Sequence, residues 1–398
     1  MITQSKAMRI LVSVAVALSG LSIGCHRAGP PTRSDTLINS PSTEVRDSRI
    51  VGETSKWRWR QTRLGRRERL ESVQLVDAST IWLRDDKGTL YQGLDGGTSW
   101  RTRQPPPVKR EDIFQSYFVN SLAGWMTVQT SPDDVLDYEG LESRIFATTD
   151  GGLTWTLQYV GDKVALGRVV FINEQEGWVI GSKIVAGETT HYEKLVMHTL
   201  DGGDHWSDVS SGLTKDQRGG YVGDIFAVEA GRATVVISGG RVMTTANGGV
   251  SWQQIGAVND ARPQTAMLRL GTDGVGSVWV LGGTGSREGT WSILSRGING
   301  NARLNYNLDG AMWRDAVFLT PTRILACGAI PSDDSIPLVE DLKRENVIVY
   351  SSDAGASRTV VYRAPRYHGI HAIAALDAEH VWAVGDSGLV IRLESAEW

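Results

Sequence analysis

Cysteine is nearly missing from this chain, with two residues in 398, so a fold stapled by disulfides is excluded. An excess of one charge is missing too. The formal net charge is −4, too small to suggest nucleic acid or general membrane-surface attachment as a partner. Helix-period hydrophobic runs are short throughout, and the one long apolar run, from Ile10 to Ile23, is shorter than the ~20 residues of a membrane-spanning helix. The seven histidines are scattered without metal-ligand spacing. No phosphate-binding glycine loop or calcium EF-loop is found either, and no cofactor or metal is expected.

Glycine is abundant, 45 residues, and 41% of the chain is apolar, as an all-β chain with many turns requires. Much of the glycine lies in one recurring stretch, clearest as Thr148-Thr149-Asp150-Gly151-Gly152-Leu153-Thr154-Trp155. The frame returns as Asp95 to Trp100, as Asp201 to Trp206 and as Asn247 to Trp252, with a worn copy around Asp353 that ends in Arg358. An Asp or Asn opening a tight turn accepts hydrogen bonds from backbone N–H groups ahead of it, and the glycines supply positive φ angles. The closing hydroxyl residue and Trp start an extended segment, where the indole reads as a packing wedge.

Trp100 and Trp155 stand 55 residues apart, Trp155 and Trp206 51, Trp206 and Trp252 46, and Arg358 lies 106 further on, two periods of 53. That period is near that of four-stranded propeller blades, ~40–50 residues. Each unit offers a first apolar strand, a second with Trp or a substitute, a third leading into the Asp turn and a fourth after it. The last unit has only three, and Trp57-Arg58-Trp59-Arg60 is left over at the start. An N-terminal strand closing the last blade would remove open edges. The expected fold is all-β: a seven-bladed β-propeller of four-stranded antiparallel blades over 57–398, closed in that way.

Residues 1–24 read as a signal peptide, with Lys6 and Arg9 ahead of the apolar core. Its end, Leu21-Ser22-Ile23-Gly24-Cys25, resembles a bacterial lipobox, although Leu stands one place further out than usual. The resemblance implies lipidation of Cys25 and a secreted, lipid-anchored protein, periplasmic at the outer membrane in a Gram-negative host. Cys327 then has no partner in the chain and reads as a buried strand thiol. Residues 25–56, rich in Pro, Ser and Thr, are expected to form a flexible tether.

The Asp turn resembles the Asp-box, or bacterial neuraminidase repeat. The fuller unit, Gly177-Trp178-Val179-Ile180-Gly181 followed by Asp201 to Trp206, is similar to photosystem II stability and assembly factor-like propellers, as is Val381-Trp382-Ala383-Val384-Gly385-Asp386. The resemblance covers roughly residues 57–395. It implies a propeller that binds another protein, with Asp95, Trp100, Asp150, Trp155, Asp201, Trp206, Asn247, Trp252 and Asp353 in structural roles.

Asp-boxes also occur in sialidases and xyloglucan-degrading enzymes, so a glycoside hydrolase, sialidase-like or lectin module is the alternative. The sialidase motif ahead of the Asp-boxes is absent; Arg262-Pro263 lacks its neighbours. A glycosidase needs two carboxylates across the sugar. Asp133, Asp134, Asp137, Glu139 and Glu142, and Asp333, Asp334, Glu340 and Asp341, lie in loop excursions where solvation accounts for them. No catalytic residue is assigned. What stands above background is Arg58, Arg60, Arg63, Arg66, Arg67 and Arg69, six guanidinium groups in twelve residues. They are suited to docking an acidic protein segment or anionic headgroups. The sequence favours a monomeric, non-catalytic scaffold with a protein partner.

Overall fold

The computed structural model describes residues 36–39, 56–64, 68–107, 113–130, 140–185, 191–213, 220–238, 241–257, 265–272, 278–284, 291–296, 311–320, 322–331, 344–353, 357–366 and 368–398. Among them there is no α-helix, only two short 3-10 turns at Ser210–Gly212 and Asp386–Gly388. The signal peptide, Cys25, Arg66 and Arg67 lie outside the described residues.

Two strands precede the repeats, β1 (Thr36–Asn39) and β2 (Trp57–Arg63). The first sheet is then built from β3 (Leu70–Leu75), β4 (Ile81–Asp85), β5 (Leu90–Gly93) and β6 (Ser99–Arg103), and the second from β7 (Ile113–Phe118), β8 (Gly124–Gln129), β9 (Glu142–Thr148) and β10 (Thr156–Asp162). The third contains β11 (Val164–Phe171), β12 (Gly177–Val185), β13 (His191–Thr199) and β14 (Ser207–Asp208), and the fourth β15 (Val222–Glu229), β16 (Arg232–Ile237), β17 (Arg241–Thr245) and β18 (Gln253–Ala257). The fifth has three described strands, β19 (Thr265–Thr272), β20 (Val278–Thr284) and β21 (Trp291–Arg296). The sixth is β22 (Met312–Phe318), β23 (Ile324–Pro331), β24 (Arg344–Ser351) and β25 (Thr359–Arg363).

The last sheet joins β26 (Ile370–Ala375), β27 (Val381–Gly385) and β28 (Leu389–Ala396) to β2, which runs antiparallel to β28 with Trp57 opposite Ala396 and Arg63 opposite Leu389. All ladders are antiparallel, and apart from the edge strands β1 and β2 each sheet is a meander. The first strand of each sheet packs on the neighbouring sheet, and β26 of the last packs on β3 of the first. One expectation needs correcting. Thr36–Asn39, inside the stretch read as a tether, pairs antiparallel with β6 and makes the first sheet five-stranded. A four-residue strand there covers an outer edge that would otherwise present unpaired backbone groups.

Each Asp turn is a hydrogen-bonded unit. Asp150 Oδ1 accepts the backbone N–H groups of Leu153 (3.0 Å) and Thr154 (2.9 Å), while Oδ2 accepts the Thr154 hydroxyl (2.6 Å). Gly151 and Gly152 adopt φ of 70° and 79°, which side chains avoid. At Asn247 the side-chain oxygen accepts Ser251 N–H (3.0 Å) and the amide nitrogen donates to the Ser251 hydroxyl (2.9 Å), while Asp95 holds the same bonds to Ser99 as Asp150 does to Thr154. The worn copy does too, with Ser357 N–H and hydroxyl bonded to Asp353 at 2.8 and 2.6 Å. At Asp201 the backbone N–H and then the ring of His205 hold the carboxyl down at about 2.

The turn also joins three elements. The N–H of its first glycine donates to the first hairpin of the same sheet: Gly96 to Ser79 O (3.0 Å), Gly151 to Leu122 O (2.8 Å), Gly202 to Gln175 O (2.7 Å) and Gly248 to Gly231 O (2.9 Å). In three turns the same glycine's carbonyl accepts a donor from the preceding sheet. Arg103 Nε reaches Gly151 O at 2.9 Å, Trp125 Nε1 reaches Gly202 O at 2.9 Å, and Arg392 reaches Gly96 O at 3.1 Å.

Between sheets, aromatic rings fill the gap. Trp82 of the first sheet lies flat on Phe118 of the second (centroids 3.7 Å, planes 9° apart), and Trp125 lies likewise on Phe171 of the third (3.4 Å, 6°). Gly124 and Gly177 make room for those phenylalanines, because a Cβ at either would overlap the ring. Trp155 and Trp206 close each stack edge-on. Where the next first strand does not end in phenylalanine, the residue beside the tryptophan in the third strand covers it. His198 stacks on Trp178 (3.8 Å), and Arg392 lies over Trp382 (5.7 Å). The Asp-turn tryptophans are thus unequal: Trp100 is fully buried, whereas Trp155, Trp206 and Trp252 are half-buried.

Two outcomes follow from these junctions. Trp178→Ala should cost about 3–5 kcal/mol in denaturant unfolding, and Trp155→Ala, at a half-exposed site, clearly less; equal costs would contradict the inequality. Burial holds His198 below its ordinary value, against the opposing pull of Glu176 3.1 Å away. The fold keeps this imidazole neutral where the unfolded chain takes up a proton, so stability should decline as pH falls below about 6.5. In His198→Phe that part of the decline should disappear, as read from Tm between pH 7 and 5.

Candidate docking surface

The strand β2 alternates. Trp57 and Trp59 are buried, Trp59 Nε1 donating to Val361 O at 2.9 Å, while Arg58 and Arg60 are exposed on the other side. The same alternation separates the arginines from the core and commits them to the outer strand. Arg60 clamps Glu394 with two bonds, 2.7 and 3.3 Å, and Arg392 bonds the same carboxylate at 3.1 Å. The Arg60 bond, against partial burial and with Arg392 adding its charge, lowers the Glu394 carboxyl.

Arg63 and Arg69 meet elsewhere, at the turn Asp386–Gly388. One Arg63 guanidinium nitrogen donates to Ser387 O (3.3 Å) and the other to His368 Nε2 (3.0 Å). Arginine only donates, so His368 Nε2 accepts and its Nδ1 proton faces Arg366 O at 2.9 Å. Arg69 lies 2.6 Å from Glu71 and 3.7 Å from Asp386.

The four described arginines therefore divide between two places. Arg58 and Arg60 face outward from β2, Arg63 and Arg69 gather at the Asp386 turn, and Arg66 and Arg67 belong to the connection between them, outside the described residues. Of the carboxylates considered for hydrolysis, Glu142 pairs with Arg144 at 2.6 Å. The other eight fall outside the described residues; among the described residues no three His, Cys, Asp or Glu side chains converge as a metal-binding group.

A second set of charged residues was not singled out from the sequence. Most first strands shift register near their beginning, between Leu70 and Ser72, Leu166 and Val169, Val222 and Asp224, Trp313 and Asp315, and Ile370 and Ala372. Such bulges re-aim a side chain, and Glu71, Arg168, Asp224, Arg314 and His371 stand at them. Arg168 holds both oxygens of the buried Asp224, at 3.0 and 3.1 Å. Arg314 donates to His371 Nδ1 (2.8 Å), His371 Nε2 to Asp386 Oδ1 (2.8 Å), and Gly369 N–H to Asp386 Oδ2 (2.6 Å). Because arginine fills Nδ1, His371 carries its proton on Nε2. The signal was present as a charged residue just ahead of each apolar run, in Arg168-Val169-Val170, Asp224-Ile225-Phe226 and His371-Ala372-Ile373.

Burial raises the Asp386 carboxyl, but the His371 bond and charge, the Gly369 N–H and Arg69 outweigh it and bring it to about 2. Its contribution to stability is complete above its ordinary value near 3.9 and is lost as pH falls toward 2. Asp386→Asn should lower stability at pH 7 and flatten the acid limb of the unfolding curve between pH 4 and 2. An unchanged limb would mean that Asp386 is not held by this chain of bonds.

Residues 138–396 match the family described as Photosynthesis system II assembly factor YCF48. No curated protein matches the chain by sequence. Among solved structures, YCF48 bound to D1 peptide is similar at 16% identity and a TM-score of 0.58, over 85% of this chain and 97% of that one. YCF48 from Cyanidioschyzon merolae is similar at 16% identity and 0.54, over 84% and 98%. The GH74 enzyme of Niastella koreensis is similar at 14% identity and 0.54, over 82% of this chain and 52% of that one. At these identities the likeness is one of β-propeller fold. The family match spans well over half of the sequence, and the chain belongs to the Photosynthesis system II assembly factor YCF48 family.

Proposed function

We propose that this chain is a seven-bladed propeller, closed by β2 in the last blade, that works as a non-catalytic scaffold for another protein. What carries the reading is family membership, together with the relative of the same fold whose structure holds a D1 peptide. The seven sheets and the pairing of β2 with β28 support the ring. The partner offers an acidic segment, and the docking region is the stretch from Arg63 to Arg69 with Arg366 and the Asp386 turn beside it. Exposed arginine there has donors in planar geometry for carboxylates. Cys25 carries the lipid, and the body works as a monomer on the periplasmic side of a membrane.

The likeness to a GH74 enzyme favours one second reading, a carbohydrate-acting hydrolase. The two separate cleanly. Reversing Arg63, Arg66 and Arg67 to Glu should lower Tm only modestly, because Arg63 makes its bonds to Ser387 O and His368 at an exposed site, yet remove the partner from cross-linked native membranes analysed by mass spectrometry. Docking should also weaken as salt shortens the Debye length below ~8 Å. Sugar release from a polysaccharide library, lost on a single Asp or Glu substitution and intact in the triple reversal, would establish the hydrolase instead. Cys25→Ala should release the mature protein into the soluble fraction; membrane attachment that survives the change would remove the lipid anchor.

A further inference from the structure

We propose that the face carrying the Asp turns is a second docking surface, fitted to a protein segment whose apolar side chains are flanked by lysine or arginine. This face lies at the opposite ends of the strands from the Asp386 turn, because the first hairpin and the Asp turn of each sheet share one end, as their glycine bonds show. The inference does not rest on the arginine region.

Among the described residues nine large apolar side chains are exposed, and seven of them lie on this one face. Leu94, Leu153, Leu200 and Val250 belong to Asp turns, and Leu122 and Val228 to first hairpins of the second and fourth sheets. Leu376 occupies the matching hairpin of the last sheet. Val250 is 81% and Leu200 68% exposed, so neither is a core residue spilling over.

Folding gives no reason for them. The turn needs its Asp or Asn, its glycines and its closing hydroxyl, but the place before the Asp and the place after the second glycine need no side-chain bond: the Thr98 hydroxyl donates to Asp95 O (3.0 Å), whereas Leu153 and Val250 sit in their turns without one. Other copies put Thr149 and Ala246 in the first of these and Thr98 and Asp204 in the second. Leucine and valine at solvent-facing positions free to be polar are the mark of a surface that is covered part of the time.

The turns and hairpins that carry these positions are also linked around the rim. Bonds tie each turn or hairpin to the next sheet: Gln92 to Ser121 O (2.6 Å), Asn120 to Glu174 (2.7 Å), and Glu176 to Gly231 N–H (2.7 Å). With Arg392 bonded to Gly96 O, the arc runs unbroken from the last sheet through the fourth.

Charge decides the occupant. Exposed carboxylates stand among the leucines, at Asp77, Glu174, Asp204, Glu229, Asp377 and Glu379. The exposed arginines on the same hairpins and turns are Arg232, itself 3.1 Å from Glu229, and Arg358. An anionic lipid surface is repelled by such a rim, whereas an amphipathic segment bearing lysine or arginine meets apolar and ionic partners together.

The test uses the full mature chain and two synthetic peptides of about twenty residues, one of Leu and Lys and one of Leu and Glu in the same order. The Leu/Lys peptide should bind, followed by fluorescence anisotropy, and the Leu/Glu peptide should not. Leu153→Ser, Leu200→Ser and Val250→Ser combined should weaken binding more than tenfold with Tm preserved, because these side chains touch no core. Arg63→Glu serves as the control that leaves this binding intact while disabling the other face. Equal binding by the triple variant would overturn the proposal. Co-sedimentation with anionic vesicles, or a self-association abolished by the triple variant, would overturn it in favour of a lipid surface or a second copy of this chain.

Discussion

Everything in this structure depends on how one sheet is fastened to the next, and the carbonyl of a glycine does much of that fastening. A four-stranded twisted sheet has two faces to bury and two edges to protect, and no single sheet of this size can do both alone. The Asp turn answers at one end of the sheet. Its carboxylate collects the N–H groups that a tight turn leaves over, which frees the first glycine to act outward. That glycine gives its N–H to its own first hairpin and, at Gly96, Gly151 and Gly202, takes a donor from the sheet before it. The second glycine is held to its type by packing as well: at Gly97 a Cβ would overlap the Trp382 ring.

The aromatic junctions obey the same constraint by other means. The tryptophan of a second strand must be covered from the next sheet, and the cover is phenylalanine where the next first strand ends in one. Where it does not, His198 or Arg392 takes over from the third strand of the tryptophan's own sheet. The substitution changes the physics of the joint. A phenylalanine stack is indifferent to pH and salt, a buried neutral imidazole is not, and an arginine lying over an indole also has a hydrogen bond to place, here on Gly96.

These distinctions explain what could be read from the sequence. The Asp turns were legible because their chemistry is local: every partner of Asp150 lies within four residues of it, and even the worn copy at Asp353 keeps its two bonds to Ser357. Strand positions followed from alternation and from tryptophan at a fixed phase. What could not be read were the partners across sheets. Arg103 is 48 residues from Gly151 and Arg392 is 296 from Gly96, and no spacing rule links them. The split among the described arginines was hidden for that reason. Arg60 is drawn to Glu394, and Arg63 and Arg69 to the Asp386 turn, all more than three hundred residues away. The strand at Thr36–Asn39 was hidden differently, since four residues pairing with an existing edge need no pattern of their own.

The repeat also separates what folding requires from what it leaves free, and the free positions are where function can be written. In each Asp turn the fixed residues are satisfied internally, so a change at Leu153, Leu200 or Val250 alters the surface without touching the fastening beneath. The opposite ends of the strands differ. There the bulged first strands carry Glu71, Arg314 and His371 into a chain of bonds that reaches Asp386, so charge at that end is shared with the stability of the ring. A partner bound at the arginine end must compete with those internal pairs for the guanidinium groups it would use. A partner at the Asp-turn end meets leucine and valine side chains that serve no bond of the turn, and that part of its affinity can evolve independently of the fold.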